Sequence, residues 1–517
     1  SVITKMAIKI SGTTVIDDSR NITNVGSVGD SNTVYYGDGS GLSGIQAGSS
    51  TFTASGAISN GEAVLVNTDG TVSAPTASIA DPPNLSDAIQ IDGTNNNHIS
   101  GVDIGNGKFV FAYAASDRTW DGEAVVATMS SSSISFGNPT TFETQSIYTY
   151  LEAIYDSAND KVVIAYQDSD NSSRGTAIVG DVSGDSITFG SAVVFETGNT
   201  QDISLAYDSN NNKVVIAYQD NSGSQYGRAV VGTVSGTSIS FGTIVAFHSA
   251  STGVTGATFD SNSNKVVIGY NDAGNFGRGK ALVGTVSGTS ISFGTEVQFS
   301  GGNYATPISA TFDSTNNKVV FAYKYSSQGR AIVGTVSGTS ISFGTEVVFE
   351  SGDCDAISAT FDSTNDKVII AYRDTGNANR GTVVVGTVSG TSISFGTPTV
   401  FNGENSLDVN AAYDSTNDRT IIGYRDAGDS FKGTVKILDI QTTDISSDNF
   451  IGIAAEAISN AATGSITMVT GINASQSSLT PGQQYYVQKD GSLSTTADTP
   501  SLLAGTAISS TQIIVKR

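Results

Sequence analysis

The chain has 517 residues, including 58 glycines but only 8 prolines, and a charged fraction of 14%. That is about three times a typical single domain, so several domains or one repetitive architecture is required. Lys and Arg total 25 against 48 Asp and Glu, a net charge of −23 that repels phosphate backbones and anionic lipid and argues against a nucleic-acid partner.

Residues 1–50 are Gly-rich and hold Tyr35-Tyr36-Gly37-Asp38-Gly39-Ser40-Gly41, with too little apolar content for a core, and read as an extended attachment or assembly segment. Residues 51–76 carry turn signals at Asn60-Gly61 and Asp69-Gly70 between short strands. The phrase Ala57-Ile58-Ser59-Asn60-Gly61 has a counterpart in Ala457-Ile458-Ser459-Asn460-Ala461. Residues 51–76 and 441–517 are therefore expected to be two parts of one small β domain, with residues 77–440 inserted between them.

That insert is a repeat. A unit (Tyr/Phe)-Asp-Ser-x-x-(Asn/Asp)-(Lys/Arg), followed by an apolar run ending in Tyr, places its aspartate at Asp156, Asp208, Asp260, Asp313, Asp362 and Asp414, with a degenerate copy at Asp103. Short apolar runs split by Gly, Ser, Thr, Asn and Asp make every unit read as strands, and no unit contains a helical period. Each reads as four strands: one entering at the aspartate, one such as Lys213–Tyr218, one such as Arg228–Val234 and one such as Ser238–Phe241. Units of this size and content predict an all-β fold, a seven-bladed β-propeller inserted in a small discontinuous β domain. A β-sandwich array is the weaker alternative.

The outer-strand phrase Ser-Ile-(Ser/Thr)-Phe-Gly puts its phenylalanine at Phe136, Phe189, Phe241, Phe293, Phe343 and Phe395, and no copy follows Asp414. A closed ring needs that missing strand. Residues 77–91, apolar at the right places, are expected to supply it and so to join the ends of the ring without a covalent bond.

At the flanks, Ser11-Gly12-Thr13-Thr14-Val15-Ile16-Asp17, Asp38-Gly39-Ser40-Gly41-Leu42 and Leu479-Thr480-Pro481-Gly482-Gln483-Gln484-Tyr485-Tyr486-Val487 resemble segments of fibre and other virion structural proteins of tailed bacteriophages, notably phages of marine cyanobacteria. The resemblance covers about 50 N-terminal and 70 C-terminal residues and does not extend to the repeats. It implies assembly and anchoring on a virion surface beside other virion proteins, as a homo-oligomer, with a trimer favoured.

Chemistry is sparse. His98 and His248 lie in different repeats with no partner pattern and read as surface residues. Nucleophile-elbow, zincin and phosphate-loop motifs are absent. The only cysteine, Cys354, lies between carboxylates that raise a thiol pKa. The Asp-Ser-x-x-Asn turn lacks the alternating acidic spacing of a calcium loop and reads as an Asx turn. No cofactor, metal or membrane insertion is expected. Glycosidase chemistry needs only two carboxylates and stays open. Recurrent pairs, Asp168 with Arg174, Asp220 with Arg228, Asp272 with Arg278, Asp374 with Arg380 and Asp426 with Lys432, read as cross-strand ion pairs, although Tyr325 replaces the acid in one unit.

The repeats differ mainly in their second-to-third-strand and unit-to-unit loops, which a propeller places on one face. That face collects Trp120, Tyr148, Tyr150, Tyr226, Phe276, Tyr304, Tyr325 and Phe431, side chains suited to stacking on sugars or anchoring a protein. The rival reading folds these rings back onto the strands. The expected function is a non-enzymatic, fibre-like virion protein that presents its propeller to a host-surface glycan or protein. Capsid decoration and a carbohydrate-active propeller enzyme are the alternatives.

Overall fold

The computed structural model describes residues 8–10, 13–16 and 48–516, apart from 117–118, 131–132, 145, 148–149, 224, 303, 444 and 498–500. Most of the Gly-rich segment 1–50 thus lies outside the described residues; within it Ile8–Ile10 pairs with Thr13–Ile16.

In the Asp156 unit the inner strand Leu151–Asp156 is followed by Lys161–Asp168, Arg174–Ser183 and Ser186–Phe189, each antiparallel to the one before. The second strand, rich in Val and Ile, is buried on both faces because neighbouring units cover it. The other units repeat the scheme. Their inner strands pack in a cycle, Ile89–Gly105 against Leu151–Asp156, then Val193–Asp208, Thr252–Asp260, Ile308–Asp313, Cys354–Asp362 and Thr399–Asp414, and back onto Ile89–Gly105. Small antiparallel sheets set radially around an axis are a β-propeller.

The turn aspartates explain why each unit folds back on itself. Asp208 Oδ1 accepts the backbone N–H groups of Asn210 and Asn211, both at 3.0 Å, and Oδ2 accepts Asn211 Nδ2 at 2.9 Å. The same Asx turn recurs at Asp156, Asp260, Asp362 and Asp414. Its last residue takes a left-handed backbone, φ 55° at Asp160 and 52° at Asn212, which Asn and Asp tolerate best.

After each Phe-Gly strand the chain doubles back and pairs with the start of the third strand of its own unit, as Val193–Val194 does with Ala177 and Thr176. This places Phe142, Phe195, Phe247, Phe299, Phe349 and Phe401 against the buried tyrosine of the next unit, with ring centroids 5.1–5.4 Å apart. A carboxylate beside several of these rings accepts the tyrosine hydroxyl: Tyr166 donates to Glu143 at 3.1 Å, Tyr218 to Glu196 at 3.0 Å and Tyr372 to Glu350 at 3.0 Å. Glycine opens the space for the ring; a Cβ at Gly381 would meet Phe401 Cζ at 2.5 Å.

The last unit lacks its own Phe-Gly strand, and Ala77–Leu85 occupies that edge, with Leu85 opposite Leu438 and Asn84 opposite Asp439. The chain continues with Ile89 opposite Val435 and Gln90 opposite Thr434. Asp92 then takes the place of the recurrent glutamate, accepting Tyr113 Oη at 2.8 Å. One N-terminal segment therefore reproduces both outer pieces of a unit.

The small β domain has two five-stranded sheets. In the first, Ala63–Val66 pairs with Phe450–Ala454 and Ser49–Thr53 with Thr463–Met468, so the two flanks share one sheet. The second is built from residues 472–515. Leu65, Phe450 and Ile453 pack with Val487, Leu502 and Ile513 in a common core. The domain meets the propeller on the face of the constant turns. There Lys489 and Arg419, each 4% exposed, share Asp439 at 2.6 and 3.2 Å, and Gln441 Nε2 donates to Asn365 Oδ1 at 2.6 Å.

Candidate functional site

A pocket of about 360 Å³ opens on the opposite face, at the mouth of the central channel. It is lined by the beginnings of the inner strands, including His98, Tyr150, Glu152, Pro307 and Asp408. These strands do not enter the mouth straight. Pairing slips between Asn97 and Ser100, Gln201 and Ser204, Asp355 and Ser358, and Leu407 and Asn410. The bulged residues His98, Asp202, Ala356 and Asp408 have φ between 47° and 51°, a conformation that interrupts the ladder and re-aims side chains.

Just below the mouth, one side chain from every inner strand but one reaches the next. Ala153 N donates to Ser100 Oγ at 3.0 Å, Leu205 N to Glu152 Oε2 at 3.1 Å and Ala257 N to Ser204 Oγ at 2.9 Å. Ala359 N donates to Ser309 Oγ at 2.9 Å, Ala411 N to Ser358 Oγ at 3.0 Å and Gly101 N to Asn410 Oδ1 at 2.9 Å, the last crossing from the final unit to the first. Gly256 holds this position in its own strand and has no side chain to contribute. The girdle satisfies backbone N–H groups that would otherwise face the channel unpaired.

Glu152 is the one carboxyl group in that girdle. Burial pushes its pKa up to about 8, against the lowering effect of the Leu205 N–H and the Ser204 hydroxyl, so it is neutral at pH 7. Burial, with the charge of Asp202, also raises the Tyr150 hydroxyl to about 12. Asp408 lies 4.0 Å from both His98 Nδ1 and Arg425 Nη1. The mouth thus combines a protonated carboxyl, a phenol, an imidazole and a second carboxyl, all able to hydrogen-bond a polyhydroxylated ligand.

The aromatic residues do not form one continuous face. Phe276 and Tyr304 are 75% and 59% exposed and adjacent, with Ala305 N donating to Gly277 O at 2.9 Å. Phe431 is 40% exposed and lies under the Arg425 guanidinium at 4.6 Å. Tyr325 is half-buried under Arg330 at 4.4 Å. Trp120 packs against the core shared by its own unit and the next. Tyr226 is half-buried at the start of a third strand, opposite Asp220. Tyr150 belongs to the central pocket, and Tyr148 lies outside the described residues. Flat rings fold back where a neighbouring strand offers apolar surface, and a single sequence does not display that surface.

Of the two histidines, only His248 departs from the surface reading by being buried. His98 lines the pocket. His248 is 9% exposed and stands where Glu196 and Glu350 stand in other units, with Tyr270 Oη at 3.2 Å, Asp272 at 3.3 Å and Glu296 at 3.5 Å. Its place beside Phe247, in the Phe-Glu register, is the sequence signal that would have located it. The cross-strand ion pair forms between Asp220 and Arg228 at 2.8 Å, whereas Lys280 rather than Arg278 pairs with Asp272, at 2.9 Å. Asp168 and Asp426 instead accept loop N–H groups, from Asn171 at 3.1 Å and Gly428 at 2.9 Å, because these donors lie within three residues. Cys354 is buried, which lifts its thiol to about 12 and leaves it protonated. Among the described residues no three His, Cys, Asp or Glu side chains gather as a metal site.

No protein-family model and no curated protein matches the chain. Among solved structures, the BP39L lectin from Burkholderia pseudomallei aligns with a TM-score of 0.52 at 11% identity, over 68% of this chain and 98% of the lectin. The likeness is one of fold. The NanB sialidase from Streptococcus pneumoniae aligns at 0.40 with 12% identity, over 70% of this chain and 71% of the sialidase. A Dos1 propeller aligns at 0.42 with 12% identity, over 69% and 96%. A propeller supports binding and catalysis alike, so activity must be argued from the site.

Proposed function

We propose that the protein is a fibre-like structural component of a bacteriophage virion, exposed on the particle surface, whose seven-bladed propeller recognises a host-surface glycan or protein without catalysis. The observation that carries this reading is polarity. The flanking β domain docks on the constant-turn face through Lys489, Asp439 and Gln441, while the pocket and the exposed pair Phe276 and Tyr304 lie on the other. One end is suited to attachment and the other to recognition. The flank resemblance supports the virion setting, other virion proteins as partners and trimeric assembly.

Immunogold labelling of native particles with antibody to the propeller tests the assignment. Label on fibres or the tail tip is the expected result. Even label over the capsid would move the protein to a decoration role, and particles without label would overturn the virion reading. A carbohydrate-active enzyme is the second reading, favoured by the neutral Glu152 and the second carboxyl of Asp408 in one pocket. Release of reducing sugar by the wild type but not by Glu152→Gln would establish it.

A further inference from the structure

Departures from the repeat converge on one seam, between the Asp260 and Asp313 units. Three aromatic residues replace the small or polar residues found in other units. Phe276, φ 59°, takes the left-handed loop position held by Ala378 and Ser430 elsewhere. Tyr325 stands where other units have Asp168, Asp220 or Asp374. Tyr304 enters from the connecting loop, φ 53°. A left-handed backbone is costly for bulky residues, and Phe276 and Tyr304 recover little of that cost by packing, since both are mostly exposed.

Glycines seat these rings. A Cβ at Gly277 would strike the Tyr304 ring at 2.6 Å, one at Gly301 would meet the Tyr325 hydroxyl at 2.7 Å, and one at Gly302 would lie 3.3 Å from Phe276 Cβ. The Gly301-Gly302 backbone therefore runs between Phe276 and Tyr325, and a larger residue at Gly301 would displace the Tyr325 hydroxyl. The two exposed rings present on the order of 250 Å² together, given the 150–250 Å² of an aromatic side chain. A stable protein interface needs about 800 Å² on each partner. The patch is the size of one or two sugar rings.

We infer that the Phe276–Tyr304 seam is a glycan subsite that stacks a neutral pyranose. The inference rests on the surface-recognition reading and names its ligand class and its place on the propeller. The aromatic faces take the apolar C–H face of the sugar, while the wet rim leaves its hydroxyls solvated. The net charge of −23 disfavours an anionic saccharide.

The test is binding of the full chain to an array of neutral oligosaccharides, comparing wild type with Phe276→Ala, Tyr304→Ala and Phe431→Ala. Thermal unfolding serves as the folding control, and the two exposed seam residues are expected to leave it unchanged. At least one neutral glycan is expected to bind, at least tenfold more weakly in each seam variant and unchanged in Phe431→Ala. Binding undiminished in both seam variants would overturn the seam while leaving surface recognition standing. No retention on any glycan would overturn the subsite, and immunogold labelling would separately decide the virion reading.

Discussion

Gly242 follows the outer-strand phenylalanine Phe241, and replacing it with alanine tests how closely adjacent blades approach at the rim. A Cβ there would run into the carbonyl oxygen of Thr289 on the next unit, with the Thr289 carbonyl carbon at 2.8 Å and its Cβ at 2.9 Å. Carbon atoms in contact rest at about 3.5–4.0 Å and the carbonyl oxygen stands closer still than the carbons, so the rims must part by more than about 1 Å. The obstruction is backbone on both sides and does not swing away. Overpacking of this kind costs about 1–3 kcal/mol, against at most about 0.8 kcal/mol from burying the new methyl. A net loss of about 2 kcal/mol is expected. At about 2.1 cal/mol/K per residue over a ring of this length, that lowers Tm by about 2–3 °C. Gly223→Ala is the control, because a Cβ there meets nothing within 4 Å and φ is not positive. Denaturant unfolding of both variants beside the wild type gives the comparison. Equal midpoints for Gly242→Ala and Gly223→Ala would refute the argument that the Phe-Gly glycine serves inter-blade approach.

Deleting residues 77–91 removes the strand residues that pair with Lys432–Thr443; cooperative unfolding of the ring should be lost, and an unchanged melting curve would defeat the closure. Tyr218→Phe abolishes a hydrogen bond to a carboxylate and should cost about 1.5–3 kcal/mol. Tyr424→Phe should be neutral or stabilising in the same denaturant assay, since the buried Tyr424 hydroxyl has no hydrogen-bond partner among the described residues. Glu152 holds its proton in the folded chain up to about pH 8, whereas the unfolded chain releases it near 4.5. Its contribution to stability is therefore complete below about pH 4.5 and lost as pH rises through about 8. Tm should fall from pH 5 to 8.5 more steeply in the wild type than in Glu152→Gln, and parallel profiles would show that the carboxyl is not held neutral.

Much of the architecture is legible in single residues. The Asp-Ser-x-x-Asn turn names its own hydrogen bonds, because donor and acceptor lie within three positions. The absent Phe-Gly phrase after Asp414 points to residues 77–91, and Ala77–Leu85 does occupy that edge. Less legible was the returning strand with Phe142, Phe195 and Phe247. The repeat of Phe-Glu is visible in the sequence, but its partner is the tyrosine of another unit. His248 replaces the glutamate in that register, and its burial likewise comes from the neighbouring unit.

The sequence by itself determined the strand pattern, the turns and the length of the unit, since these depend on alternation and on contacts a few residues apart. Only the tertiary structure decided the rest: the girdle through Ser100, Glu152 and Asn410, the burial that keeps Glu152 neutral, and which aromatic rings remain in water. Those properties depend on surfaces supplied by residues roughly 50 or, at the seam of the ring, more than 300 positions away. Trp120 and Phe276 occupy closely related loops, and one packs against the core between two units while the other stands in solvent. The difference lies in the neighbouring surface each loop meets when the ring closes.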